Sequence, residues 1–271
     1  MESDRLLAPV EDGLEYRDSQ PYAKQKLKSV NYYLQQAITA TKGKFRDICY
    51  LDLQAGPGKN KIGSEIVLGS PLIALNLPNP PTLLLFNEDK KKLSESLKQR
   101  VQASPIADRV RIFREDVNDV AGKMIDVLPN RGKYSLNIAF LDPEGLEINW
   151  STIQLLADVR RMDLIINFSS SGVKRSLQHP DKLDAFFGTP NWREIDLKST
   201  RAMVDLYLSR LRGFGYTIIE DPEIPGEEVR VRNSKNAELY TMIFASKHPL
   251  GNKFWKNAAD STKPPRLPGF E

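Results

Sequence analysis

Apolar residues along this chain recur with two different periods, and the switches between them predict the order of elements. At 22–41, Leu27, Val30, Leu34, Ala37 and Ile38 fall three or four residues apart, while Lys24, Lys26, Lys28, Gln35 and Gln36 lie elsewhere. That stripe predicts an amphipathic helix packing on a sheet, closed by Lys42-Gly43. Short apolar runs at 47–53, 82–86, 109–113, 134–141 and 162–168 read as strands, the first being the kind of run found in buried parallel strands. Between them, Ser70 and Pro71 suit the N-cap and first position of a short helix, and 90–104 is helical. Ser199 opens a helix to Arg212, with Met203, Leu206 and Leu211 inward and Gly213 as its stop. The last two strands, 216–220 and 238–245, have no helix-length apolar pattern between them and should pair as an antiparallel hairpin. Residues 1–20 read as irregular, 59–70 as a polar lid or surface excursion, and the basic, proline-rich tail from Lys247 as loosely ordered.

The strand ends carry the candidate chemistry. The first strand empties into Asp52-Leu53-Gln54-Ala55-Gly56-Pro57-Gly58. Glycine there lets backbone approach a ligand that a Cβ would hold off, and ligands of open α/β sheets gather at the carboxyl ends of strands. The second strand ends in Asn87-Glu88-Asp89, where a carboxylate accepts from both hydroxyls of a ribose; Asp89 equally suits the N-terminus of the following helix. The third runs into Glu115-Asp116, with Asp119 as the alternative cap of the next helix. The fourth delivers Asp142-Pro143-Glu144-Gly145, and the fifth opens into Ser169-Ser170-Ser171-Gly172, small polar groups expected to line an acceptor cleft. Trp150 reads as a core residue before a stacking one.

Composition narrows the class. The chain has 271 residues, 40% hydrophobic and 27% charged, values of a globular protein with a sizeable core. No run approaches the ~18 apolar residues of a membrane span, and the N-terminus lacks a signal peptide's apolar core, so a cytoplasmic protein is expected. The single cysteine, Cys49, sits in the first strand, and His179 and His248 have no ligand-spaced neighbours; neither a disulfide framework nor a metal site is expected. A formal charge of +4 permits a polyanionic partner without demanding one, and most of the basic pairs read as solvated faces.

The spacing Asp-x-x-Ala-Gly-x-Gly after a first strand resembles the nucleating motif of class I S-adenosylmethionine-dependent methyltransferases. That resemblance implies an α/β, Rossmann-like class I methyltransferase fold: a seven-stranded, mostly parallel sheet with an antiparallel C-terminal hairpin. It implies S-adenosylmethionine as cofactor, held by Asp52, Gln54, Ala55, Gly56, Gly58, Glu88 and Asp116. Catalysis falls to Asp142 and Pro143. Their element resembles the Asp-Pro-Pro-aromatic element of amino-methylating nucleic-acid enzymes, with Glu144 and Gly145 replacing the second proline and the ring. The domain plan is an N-terminal segment and helix at 1–46, a methyltransferase-like domain at 47–246 and a tail at 247–271.

Taken together, Leu51 to Gly58, Gly69-Ser70-Pro71-Leu72, Leu141 to Gly145 and Phe186-Phe187-Gly188-Thr189 through Trp192 resemble the three-Cys-motif partner proteins over about 22–255. These are bacterial and phage-associated proteins, named for genes found beside a radical-SAM-like three-cysteine protein. The resemblance implies work on nucleic acid or another modified substrate in mobile-element or phage-defence settings, with nucleic acid and that three-cysteine protein as partners. It does not fix a reaction. A noncatalytic methyltransferase-like subunit is the alternative, motivated by the missing aromatic and the basic tail. A nicotinamide dehydrogenase is disfavoured because the glycine spacing is not Gly-x-Gly-x-x-Gly and a terminal hairpin does not suit it.

Overall fold

The computed structural model describes residues 11–216, 228–232 and 238–261. An N-terminal arm carries β1 (Arg17–Asp18) and leads into α1 (Ala23–Thr41). β2 (Ile48–Asp52) is followed by β3 (Lys59–Ile62), β4 (Glu65–Leu68) and α2 (Ser70–Leu75). The chain then alternates: β5 (Leu83–Asn87), α3 (Lys91–Gln102), β6 (Val110–Phe113), α4 (Val117–Val127), β7 (Leu136–Leu141), α5 (Trp150–Asp158) and β8 (Met162–Phe168). After it come α6 (Ser170–Arg175), α7 (Pro180–Phe187), α8 (Thr200–Arg212), β9 (Glu228–Arg232), β10 (Glu238–Ala245) and α9 (Pro249–Ser261).

Among the described residues the main sheet runs in the order β6-β5-β2-β7-β8-β10-β9. β6 through β8 are parallel, and β10 lies antiparallel between β8 and β9. The chain walks outward from β2 through β5 to β6, then returns to the other side of β2 with β7. A crevice at such a reversal opens at the carboxyl ends of the strands.

Helices cover both faces, which is why the central strands read as unbroken apolar runs. All five residues of β2 are buried. Cys49 and Leu51 join the cluster containing α4, α5, α7 and α8, whereas Ile48 and Tyr50 join the one containing α1, α2 and α9. Alternate side chains of one strand thus feed two cores. Burial pushes the Cys49 thiol up to about 12, leaving it an inert apolar group.

Several expectations are corrected here. The arm is not wholly irregular: Arg17 and Asp18 pair in parallel with Asn60 and Lys61, adding β1 to a three-stranded sheet. The 59–70 stretch is no loop, because β3 and β4 form an antiparallel hairpin whose Ile62 and Val67 pack with Leu27 and Ile73. Gly69, not Ser70, takes the N-cap position of α2. Tyr216 is buried outside any strand, its hydroxyl donating to Met162 O at 3.0 Å; residues 217–220 lie outside the described residues, and β9 supplies β10's outer partner instead. The tail forms α9 as far as Ser261, packed on α1, with Trp255 stacked on Phe244 at 5.2 Å. Residues 262–271 lie outside the described residues. Leu206 of α8 is only half-buried, while Met203 and Leu211 are fully inward.

Candidate functional site

The glycine loop is held by groups from three distant parts of the chain. Ala55 N donates to Asn87 O at 2.8 Å, and Gly69 N donates to Gly58 O at 2.7 Å. Gly56 and Gly58 have φ of 64° and 93°, a left-handed backbone open to glycine and strained for other residues. A Cβ on Gly69 would stand 3.0 Å from Gly58 O, so Gly69-Ser70-Pro71 docks α2 directly onto the loop. The Arg100 guanidinium donates to Pro57 O at 2.7 Å, to Glu15 O at 2.7 Å and to both carboxylate oxygens of Asp12 at 2.7 and 2.9 Å. One buried fork ties the arm to the loop, and Arg100 beside Asp12 holds that carboxyl far below its usual range.

Two cavities open beside this loop. The larger, about 180 Å³, is walled by Gln54, Glu88, Asp89, Glu115, Asp116, Glu144 and Glu147, with Arg17 and Lys90 as its cations. The smaller, about 30 Å³, is walled by Ala55, Gly56, Gly58, Ser70, Lys26 and Asp142. Gln54 and Arg17 belong to both walls. Arg17 reaches across to Glu144 at 3.1 Å, and its guanidinium lies 3.9 Å from where a Cβ on Gly56 would be.

The acids therefore share one crevice without sharing one wall. Glu88 and Asp116 face the larger cavity and Asp142 the smaller, while Asp52 lies fully buried behind them and lines neither. Burial pushes the Asp52 carboxyl up to about 7, partly countered by hydrogen bonds from the Ser70 and Tyr50 hydroxyls, the latter at 3.2 Å. Its Oδ1 has no partner, and neither does Gln54 Oε1. Buried acceptors without donors are uncommon in folded proteins and mark places where something else supplies the proton.

Glu88 is raised too, chiefly by burial, and its Oε1 accepts from Lys90 N at 3.0 Å. Asp116 caps α4 itself, accepting from Asn118 N at 2.8 Å, so Asp119 is not the capping side chain. Asp142 is bracketed by Lys26 Nζ, 2.8 and 2.6 Å from its two oxygens, and by Asn167 Nδ2 at 2.7 Å. Pro143 is buried and lines neither cavity. Ser169 to Gly172 do not line them either: Ser169 caps α6 by accepting from Gly172 N at 3.1 Å, and Ser170 is buried. Trp150 is a core residue, edge-on to Tyr207 at 5.0 Å.

Four positioning residues escape a reading of the sequence. Asn87 ends an apolar strand, and its side chain donates to Leu53 O and Glu115 O and accepts from Glu115 N at 3.0–3.1 Å, lacing three strand-end loops together. A polar amide closing a buried strand was its one visible signal. Arg17, Lys26 and Arg100 act from elements remote in sequence, and nothing local distinguishes Lys26 from Lys24 or Lys28. Among the described residues, no group of three or more His, Cys, Asp or Glu side chains could hold a metal ion, and no helix is long and apolar enough to cross a membrane.

No protein-family model matches the sequence, and no curated protein matches it significantly. Among solved structures, a Legionella pneumophila protein described under DUF519 is similar at a TM-score of 0.51 and 10% identity, over 87% of this chain and 92% of that one. That likeness shows a shared fold. A Bacillus cereus O-methyltransferase solved with SAH is similar at a TM-score of 0.46 and 12% identity, covering 87% of this chain and 85% of that one.

Proposed function

We propose that the protein is an S-adenosylmethionine-dependent methyltransferase of the three-Cys-motif partner type, acting on nucleic acid or a modified nucleotide. The observation that carries this reading is the acid-walled cavity beside the glycine loop, on whose wall the buried Gln54 Oε1 is left without a donor. S-adenosylmethionine presents groups that such acids can pair with or accept from: a sulfonium and an ammonium cation, ribose hydroxyls and an adenine amine. The strand order, with β10 antiparallel beside β8 and β9 outside it, also suits the class I methyltransferase fold. The Gly69-Ser70-Pro71 element that carries part of the family resemblance is itself docked on the glycine loop.

In this reading the backbone from Ala55 to Gly58 meets the cofactor's methionine end, Glu88 its ribose and Asp116 its adenine. The bound cofactor supplies an electrophilic methyl group. The chain's own task is then alignment and exclusion of water, which can supply most of the rate of an in-line displacement. Asp142, held between Lys26 and Asn167, orients the acceptor by accepting a hydrogen bond from it.

A second reading, a noncatalytic methyltransferase-like subunit, is favoured by that same ion pair. Both Asp142 oxygens are already engaged by Lys26, and one of them by Asn167 as well, and no aromatic follows it at 143–145 to stack on a base. Calorimetry with S-adenosylhomocysteine, followed by labelled methyl transfer to nucleic acid, tests both. Binding that weakens in Glu88→Ala, with label incorporated, is the expected result. Binding without turnover, together with a stable co-purifying partner, selects the second reading. No binding by the wild-type chain ends the first.

A further inference from the structure

At the opposite end of the sheet, by the amino ends of β7 and β8, lies a third and larger cavity of about 430 Å³. Phe45, Leu136 and Phe254 give it an apolar wall, and Leu250, still 41% exposed, extends that wall to the surface. Lys44, Arg160, Arg161 and Lys247 also stand on it. Arg161 is braced across the Phe45 ring at 5.3 Å and donates to Lys133 O at 3.4 Å, while Lys44 and Arg160 are exposed.

The only acid among the described lining residues is Asp163, and it is internally satisfied: Tyr33 Oη donates to it at 2.6 Å and the Ser246 hydroxyl bonds to it. The cavity thus couples an apolar interior to a cationic wall, and its volume lies in the roughly 300–1,000 Å³ range of small-molecule sites. None of its residues takes part in the strand-end crevice.

We propose that this cavity binds a small amphipathic anion: an apolar body seated against Phe45, Leu136 and Phe254, with a carboxylate, sulfonate or phosphate facing Lys44 and Arg160. An apolar ligand without charge would leave the cationic wall unused, and a compact inorganic anion would leave the apolar wall wet. A cation would meet the exposed charges of Lys44 and Arg160.

The test uses 8-anilinonaphthalene-1-sulfonate as a fluorescent probe on the full chain, with decanoate as competitor. Saturable one-to-one binding, displaced by decanoate and not by S-adenosylhomocysteine, is expected. Arg160→Glu and Leu250→Asp alter exposed positions, and each should weaken probe binding about tenfold or more while leaving circular dichroism and the unfolding midpoint as in the wild type. The proposal is overturned if the probe fails to saturate, if S-adenosylhomocysteine displaces it, or if both folded variants bind it as the wild type does. It stands independently of the methyltransferase reading, which these measurements do not touch.

Discussion

Lys26 in the second turn of α1 places its Nζ 2.6 and 2.8 Å from the two carboxylate oxygens of Asp142, 116 residues further along. Both side chains are only 13% exposed. The pair therefore locks a peripheral helix to the end of a central strand at the crevice floor. Removing one partner of a largely desolvated pair leaves the other charge without compensation, at a cost that reaches 3–5 kcal/mol when burial is complete.

Lys26→Met should accordingly destabilise the protein by about 2–3 kcal/mol, less than the full figure because both groups keep some water. In a chain of this size that is a fall of roughly 5–10 °C in Tm. The double variant Lys26→Met/Asp142→Asn removes both charges and should recover most of the loss. Thermal unfolding of the wild type, Lys26→Met, Asp142→Asn and the double variant decides it; a double variant as unstable as the sum of the two single ones would show that the two charges are not coupled.

Arg100 serves the glycine loop in a similar way from α3. Its fork meets Asp12, Glu15 O and Pro57 O at once, a planar arrangement that an ammonium does not reproduce. Arg100→Lys should therefore behave nearly as badly as Arg100→Met, each losing about 2–4 kcal/mol in urea unfolding. Near-complete rescue by lysine would mean that charge alone is what the loop requires.

The same contrast explains what could be read from sequence. The strands at 82–86, 109–113 and 162–168 announce themselves because burial on both faces forces continuous apolar runs, and the glycine loop announces itself by spacing. Arg17, Lys26 and Arg100 do not, since a cation on a helix or arm looks alike whether it faces water or reaches a carboxylate a hundred residues away. The hairpin of β3 and β4 was hidden because Lys59-Asn60-Lys61 is polar, and in a small sheet only Ile62 and Val67 need face inward. β9 does alternate, as Glu-Val-Arg-Val-Arg, but its arginines read as a solvated face. In α9 the charged and small residues around Phe254 and Trp255 masked an amphipathic helix.

Asp52 gives the fold a definite pH dependence. Its carboxyl is raised from 3.8 to about 7 by burial, so between these values the folded chain holds a proton that the unfolded chain has released. Stability from this group is therefore intact below about pH 4, falls as pH climbs toward 7, and is fully lost above it. Asp52→Asn, which cannot ionise, should flatten that slope and become more stable relative to wild type at pH 8 than at pH 5. Chemical denaturation at the two values checks it, and an unchanged difference between the proteins would place Asp52 in a well-solvated or fully compensated setting.

Gly63 and Gly188 share a φ of 61° yet occupy different surroundings, which separates backbone strain from collision. A Cβ added at Gly63 meets nothing within 4 Å, whereas one at Gly188 would stand 2.4–2.5 Å from three atoms of the Trp150 side chain. Gly188 closes α7 in the left-handed conformation, its N–H donating to Asp184 O at 2.7 Å, just after Phe186 and Phe187 have packed against Phe168. Gly63→Ala should cost only the conformational part, about 1–2 kcal/mol. Gly188→Ala adds overpacking against a tryptophan held by Tyr207 on another side, so its loss should exceed about 3 kcal/mol. Near-ultraviolet circular dichroism should register the displaced indole in Gly188→Ala and not in Gly63→Ala. Equal losses in the two variants would mean that the Phe-Phe-Gly corner yields around Trp150, and that the glycine is required there for its backbone alone.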